Sequence, residues 1–261
     1  MINTIWQNIK NIGCLLFKIE SPHYTSEISY WKDVLPYDLK FIADPEYRRK
    51  AFPEKLLEFI TPFLKNDNHP LRVLEIGSGP VSILAWGVDQ NLFQLTAVDP
   101  LAEEYDGIMK KYNFHYPVKP IKGYGEQLLK LFKRESFDVV YSSNALDHVV
   151  SPGKSMRNIC EVVKKCGIIF LEGFVNEGTK ENWTGLHKHD LFPKDGQIFH
   201  CGQERKEVSL TSRLKLKCIY QEIKRFRERG LESFGYGYLS PIESPPSYFS
   251  DDWYTIVFKK I

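Results

Sequence analysis

The chain has 261 residues, 43% of them hydrophobic and 26% charged, with a net charge of only +2. That balance, without a long Lys/Arg run, gives no electrostatic handle for nucleic acid. Five cysteines (Cys14, Cys160, Cys166, Cys201, Cys218), odd in number and without a C-x-x-C pair, speak against a disulfide framework or zinc knuckle and point to a reducing cytoplasm.

In chain order, residues 1–20 place Trp6, Ile9, Ile12, Leu15, Leu16 and Ile19 near the spacing of an amphipathic helix. The apolar run at 14–17 is too short for a signal peptide or an integral membrane segment. Segments 27–35 and 53–64 also have helical spacing, punctuated by Pro36, Pro45 and Pro62. Residues 1–65 therefore read as an N-terminal helical subdomain, and a turn-rich stretch at 66–70 leads into a second unit at 66–261. There the spacing predicts a strand at 72–76, a helix near 80–90, a strand at 94–98 and a helix near 101–113. A short strand near 118–121, a helix at 125–134, a strand at 137–142, a helix at 152–164 and a strand at 167–173 follow. This alternation predicts an α/β fold, a mostly parallel sheet with helices on both faces and ligands at the carboxyl ends of its strands. Residues 174–205 read as a polar, aromatic loop over that end, and 203–217 as a helix. Residues 218–226 and 253–259 read as the last strands. Their connection, 227–252, carries Phe234, Tyr236, Tyr238, Tyr248 and Phe249.

The first strand of this unit ends as Val73-Leu74-Glu75-Ile76-Gly77-Ser78-Gly79-Pro80. Glycines at a strand-to-helix corner permit backbone angles that other residues resist and let a ligand lie against bare peptide. The pattern is not a phosphate-binding G-x-G-x-x-G, since Ser82 holds the third position and no lysine follows. Glu75 would repel a pyrophosphate and suits a ligand with a cationic end. The next strand ends in Asp99-Pro100. Asp99 lies 20 positions after Gly79, the separation at which a βαβ unit brings a carboxylate to a ribose diol. Two further blocks are Lys122-Gly123-Tyr124-Gly125-Glu126-Gln127-Leu128 and Phe137-Asp138-Val139-Val140-Tyr141-Ser142-Ser143-Asn144-Ala145-Leu146-Asp147-His148-Val149.

In these four ordered blocks the sequence resembles the class I S-adenosylmethionine-dependent methyltransferases, over roughly residues 70–175. The resemblance implies a Rossmann-like fold with a seven-stranded sheet, antiparallel neighbours at its last two strands and S-adenosyl-L-methionine as cofactor. It implies that Gly77, Ser78 and Gly79 pass the methionine and ribose portions while Glu75 supports the amino end or shapes the loop. Asp99, followed by Pro100, would take the ribose hydroxyls, and Tyr124, Gly125 and Glu126 would border adenine. Asn144 would close the fourth strand beside the donor. Many members carry aspartate where Tyr124 stands, so stacking replaces a side-chain hydrogen bond there. The family's N-terminal lid makes Tyr24, Tyr30, Trp31, Tyr47 and Arg48 candidates to face the cleft, against the plainer reading that they pack the subdomain onto the core.

Asn144-Ala145-Leu146 lacks the Asp/Asn-Pro-Pro-Tyr arrangement common in nitrogen methylation. A sugar hydroxyl needs a base, and histidine suits that role at neutral pH. Candidates are His148, with Asp147 beside it, and His187 and His189 on the overhanging loop; His148 fits a packing role equally. The spacing His187-x-His189-Asp190, with Asp147 added, could mimic a metal site, but structural histidines are commoner and no metal is expected. The loop pattern Trp183-x-Gly185-Leu186-His187-x-His189 is similar to methyltransferases of surface-polysaccharide clusters. It suggests oxygen methylation of a small-molecule acceptor such as a sugar or polysaccharide precursor. Two other classes stay open. One is a non-catalytic partner subunit, against which the intact glycines and Asp99 argue. The other is a methyltransferase acting on protein or RNA, where the weak charge disfavours RNA.

Overall fold

The computed structural model describes residues 22–64, 70–226 and 251–261, and of residues 22, 23 and 36–42 the backbone alone. The helix expected within 1–20, the turn at 66–69 and the aromatics of 227–250 lie outside the described residues. Three helices come first: α1 (Pro22–Ile42), α2 (Pro45–Ala51) and α3 (Glu54–Leu64). Then follow β1 (Leu71–Ile76), α4 (Ala85–Asp89), β2 (Phe93–Asp99), α5 (Ala102–Lys111), β3 (Ile121–Lys122) and α6 (Leu128–Leu131). β4 (Phe137–Ser143), α7 (Pro152–Val162), β5 (Val163–Phe174) and α8 (Glu177–Lys180) come next. The remainder is strand: β6 (Asp190–Lys194), β7 (Gln197–Cys201), β8 (Val208–Ser209), β9 (Leu216–Arg225) and β10 (Asp252–Lys260).

Seven strands form one sheet in the order β3-β2-β1-β4-β5-β10-β9. β10 alone is reversed, antiparallel to both β5 and β9. Side chains alternate across a strand, and here both faces are buried. Leu74, Val140, Ile169, Leu171 and Ile256 enter one core; Val73, Val139, Ile168, Phe170 and Val257 enter the other. That is why these strands read as near-continuous apolar runs rather than alternating ones. α7 starts at Ser151, whose hydroxyl accepts from Lys154 N–H, and buries Met156, Ile159 and Val162 in the first core. Leu56 and Ile60 of α3 fill the second. α1 packs Leu35 and Trp31 against Ile108 and Met109 of α5. No helix among the described residues is long and apolar enough to cross a membrane.

The α/β architecture and mostly parallel sheet agree with the sequence reading; several local elements do not. α1 runs past Pro36 and α3 contains Pro62. A proline removes one helical hydrogen bond, and in α3 packing at Leu56 and Ile60 outweighs that loss. The helix expected near 80–90 shrinks to α4, because the Ser82 hydroxyl accepts Leu84 N–H and holds a turn before it. The helix expected at 125–134 is a 3-10 turn (Gly125–Gln127) followed by α6. Residues 174–205 are not a bare loop but α8 and the β6–β7 hairpin, which buries Leu191 and Ile198 in the first core. The helix expected at 203–217 does not form either. Leu210 and Leu214 have helical spacing, but the Ser209 hydroxyl accepts from Thr211 and Ser212 N–H, and β8 pairs with β7. A short polar side chain that bonds the backbone locally competes with a helix.

Candidate active site

A cleft of about 430 Å³ runs along the carboxyl ends of β1, β2, β4 and β5. Its first wall is the turn after β1. Gly77 and Gly79 hold φ of +69° and +62°, angles that only glycine adopts freely. A Cβ at Gly77 would lie 2.2 Å from that of Ala145, so the turns after β1 and β4 meet with no room for a side chain. Gly79 N–H donates to Asp99 Oδ2 at 2.9 Å, and Leu101 N–H donates to Oδ1 at 2.8 Å. Both oxygens are thus fixed by backbone and keep further acceptor capacity. Burial, outweighing those bonds, pushes the Asp99 carboxyl up to about 6.

Glu75 does not line the cleft. It is 3% exposed behind the turn, and burial pushes its carboxyl up to about 8, against a hydrogen bond from Ser82. Its Oε2 has no partner among the described residues. Ser78, Pro100, Tyr124, Gly125 and Glu126 do line the cleft. Glu126 Oε1 accepts Ser151 N–H at 2.9 Å, fastening this wall to the start of α7. From α1, Tyr24, Tyr30 and Trp31 line it too. Trp31 donates to Glu27 at 2.8 Å, and its ring stands 3.6 Å from where a Gly79 Cβ would be. Tyr47 and Arg48 are elsewhere: Tyr47 is buried, and Arg48 pairs with Asp89 of α4 at 2.8 Å.

The far wall follows β4. Asn144 turns the chain at φ +46°; its Oδ1 accepts Phe174 N–H at 3.2 Å, and its amide bonds the Glu177 carboxylate. The turn after it carries Asp147, 4% exposed, and His148. Asp147 Oδ2 lies 3.0 Å from His148 Nε2 and 3.1 Å from His187 Nδ1, and those two nitrogens are 3.1 Å apart. Glu177 Oε1, at the first residue of α8, is 3.6 Å from His187 Nδ1. Burial resists ionisation of Asp147, but His148 and His187 overcome it and hold the carboxyl well below its usual range. Burial likewise opposes the charge on His148, yet Asp147 raises it to about 9. Burial and Asp147 push Glu177 up to about 8.

The cluster can hold or move a proton beside the cleft, which His148, His187 and Glu177 line directly. Among the described residues, Asp147, His148 and His187 are also the group whose ligand atoms converge closely enough for a metal ion. The grouping His187-x-His189-Asp190 does not converge. His189 Nε2 bonds Val149 O at 2.9 Å with its ring against His200, and Asp190 accepts Thr179 N–H at 2.7 Å. Sequence reasoning did not single out Glu177, and only its place just after the fifth strand could have drawn attention to it.

A protein-family model described as a methyltransferase domain matches residues 47–216. Among solved structures, the Burkholderia thailandensis 1,6-didemethyltoxoflavin-N1-methyltransferase, with 1,6-didemethyltoxoflavin and S-adenosylhomocysteine bound, is 14% identical. That similarity covers 93% of this chain and 91% of that one at a TM-score of 0.47. The Haemonchus contortus phosphoethanolamine N-methyltransferase 2 is also 14% identical, over 79% of this chain and 53% of that one, at a TM-score of 0.48. No curated protein matches the sequence.

Proposed function

The chain belongs to the methyltransferase-domain family, and from that premise we propose that this S-adenosylmethionine-dependent methyltransferase acts on a hydroxyl oxygen of a small acceptor, such as a sugar or polysaccharide precursor. The observation that carries the reading is the convergence of Asp147, His148 and His187 beside the cleft. A hydroxyl is a poor nucleophile until its proton is withdrawn as it attacks. His148 and His187 border the cleft, which supports a role for the cluster in drawing off that proton. Its lone buried carboxylate, Asp147, keeps both imidazole nitrogens aimed at one point.

S-adenosylmethionine supplies an electrophilic methyl group when bound, and the residues present fit it. The cleft volume is in the range of ligand pockets. Gly77 and Gly79 offer bare backbone, and Asp99 would hold the ribose hydroxyls. Pro100, Tyr124, Gly125 and Glu126 would border adenine. Glu75, buried behind the turn, would shape the loop that carries the two glycines. Tyr24, Tyr30 and Trp31, with Lys180, Glu181 and Asp251, give the rest of the cleft the mixture of aromatic faces and polar groups that suits a sugar. Cysteine usage supports a cytoplasmic setting, the four described cysteines being free thiols.

The test is incubation with methyl-labelled donor and separate pools of sugar nucleotides, proteins and RNA. Label is expected in the sugar pool. Label entering protein or RNA alone would overturn the acceptor assignment.

A further inference from the structure

The three ligand atoms past β4 form a nearly equilateral triangle with edges of 3.0, 3.1 and 3.1 Å. Hydrogen bonds do not satisfy all three edges. Each ring nitrogen carries at most one hydrogen and the carboxylate oxygen brings none. If both hydrogens point at Asp147, the two N–H groups crowd each other. If one points at the neighbouring ring, that ring turns a lone pair toward the carboxylate. A cation at the common focus removes the conflict by accepting a lone pair from every corner. Donors about 2.1 Å from one ion and at right angles around it stand about 3.0 Å apart, as on one face of an octahedron. A tetrahedral ion at that bond length would spread them to about 3.4 Å. Glu177 adds a second carboxylate: its Oε1 is 3.6 Å from His187 Nδ1, and its Oε2 is buried without a hydrogen-bond partner among the described residues.

We propose that Asp147, His148 and His187 bind a divalent first-row transition-metal ion on one face, with Glu177 beside it. Two imidazoles and one carboxylate suit manganese, iron, cobalt or zinc; magnesium and calcium take oxygen donors. Because His148, His187 and Glu177 line the cleft, the ion's open face is turned toward the space an acceptor would fill. An acceptor hydroxyl held there is acidified by the ion and gives up its proton to water as its oxygen takes the methyl group. That role rests on the hydroxyl-acceptor reading above; binding of the ion does not.

The experiment is calorimetric titration of the protein with Mn2+, Co2+ and Zn2+, with Co2+ also followed by visible absorption. One ion per chain and a six-coordinate Co2+ spectrum are expected. His187→Ala and the near-isosteric Asp147→Asn should each weaken binding on the order of 100-fold or more, the latter serving if the former does not fold. His189→Gln, bonded to Val149 instead, should retain the ion. No saturable binding by the wild type, or unchanged binding in both variants, would overturn the site. Ion binding without label in any hydroxyl acceptor leaves the site standing and removes the acceptor reading. Hydroxyl methylation by a protein that binds no ion does the reverse.

Discussion

Between β1 and β2 the cleft wall is mostly backbone. Gly77 and Gly79 are bent into left-handed angles, and the carboxylate of Asp99 is pinned by two main-chain N–H groups. Past β4 and β5 the wall is side chain, with His148, backed by the buried Asp147, from one turn, Glu177 from α8 and His187 from the loop before β6. A backbone wall can be altered only by changing the turn, so it suits the ligand that stays constant. A side-chain wall can be re-cut one residue at a time, so it suits the ligand that differs between enzymes sharing a donor.

The harshest way to break this contrast is Gly77→Val. Positive φ and the Ala145 Cβ at 2.2 Å together should cost roughly 3–5 kcal/mol, abolishing donor binding and lowering the melting temperature. Calorimetry showing normal donor affinity would end the idea that the wall must be bare. His187→Ala should lower turnover about 10²–10⁴-fold while leaving donor affinity within about twofold. If donor binding fell as far as turnover, the two walls would not be separable. Asp99→Asn should weaken the donor by about 1–3 kcal/mol, as expected for a charged hydrogen-bonding group, without changing turnover at saturating donor to a similar degree.

A probe that needs no substitution is pH. Glu75 is raised from 4.5 to about 8, so between those values the folded protein binds more protons than the unfolded chain. Stability of the ligand-free enzyme therefore falls as pH rises through that window, by at most about 1.4 kcal/mol per pH unit. Asp99, raised from 3.8 to about 6, adds to the same slope at lower pH. Glu177 and His148, raised to about 8 and about 9, act in the same direction, so thermal unfolding at pH 5 and pH 8 should show the loss and Glu75→Gln should lessen it. A Glu75→Gln variant that loses as much stability as the wild type would mean that Glu75 ionises freely.

What could be read in the sequence follows the same division. The glycine turn and Asp99 are contiguous or separated by one βαβ step, a distance that the fold itself fixes. The sheet was legible because its strands are buried on both faces. The histidine–carboxylate cluster spans Asp147 to His187, and no spacing rule joins residues brought together by a folded insertion. His187 and His189 look equivalent in the sequence, yet one meets Asp147 and the other turns to Val149. The supposed helix at 203–217 misled for a related reason: its leucines fit a helix, while Ser209 had a nearer use for the backbone.

The reversed strand β10 lies between β5 and β9 and is hydrogen-bonded to both. Its position sets an order on folding. Strands β1 to β5 can pair as they are made, but β9 has no neighbour until residues 252–260 arrive, after which Ile261 N–H clasps Lys215 O at 3.0 Å. A chain interrupted before residue 252 would lose two strands rather than one. It would also leave the β5 edge, with Phe170 and Leu171, open to pairing with another molecule.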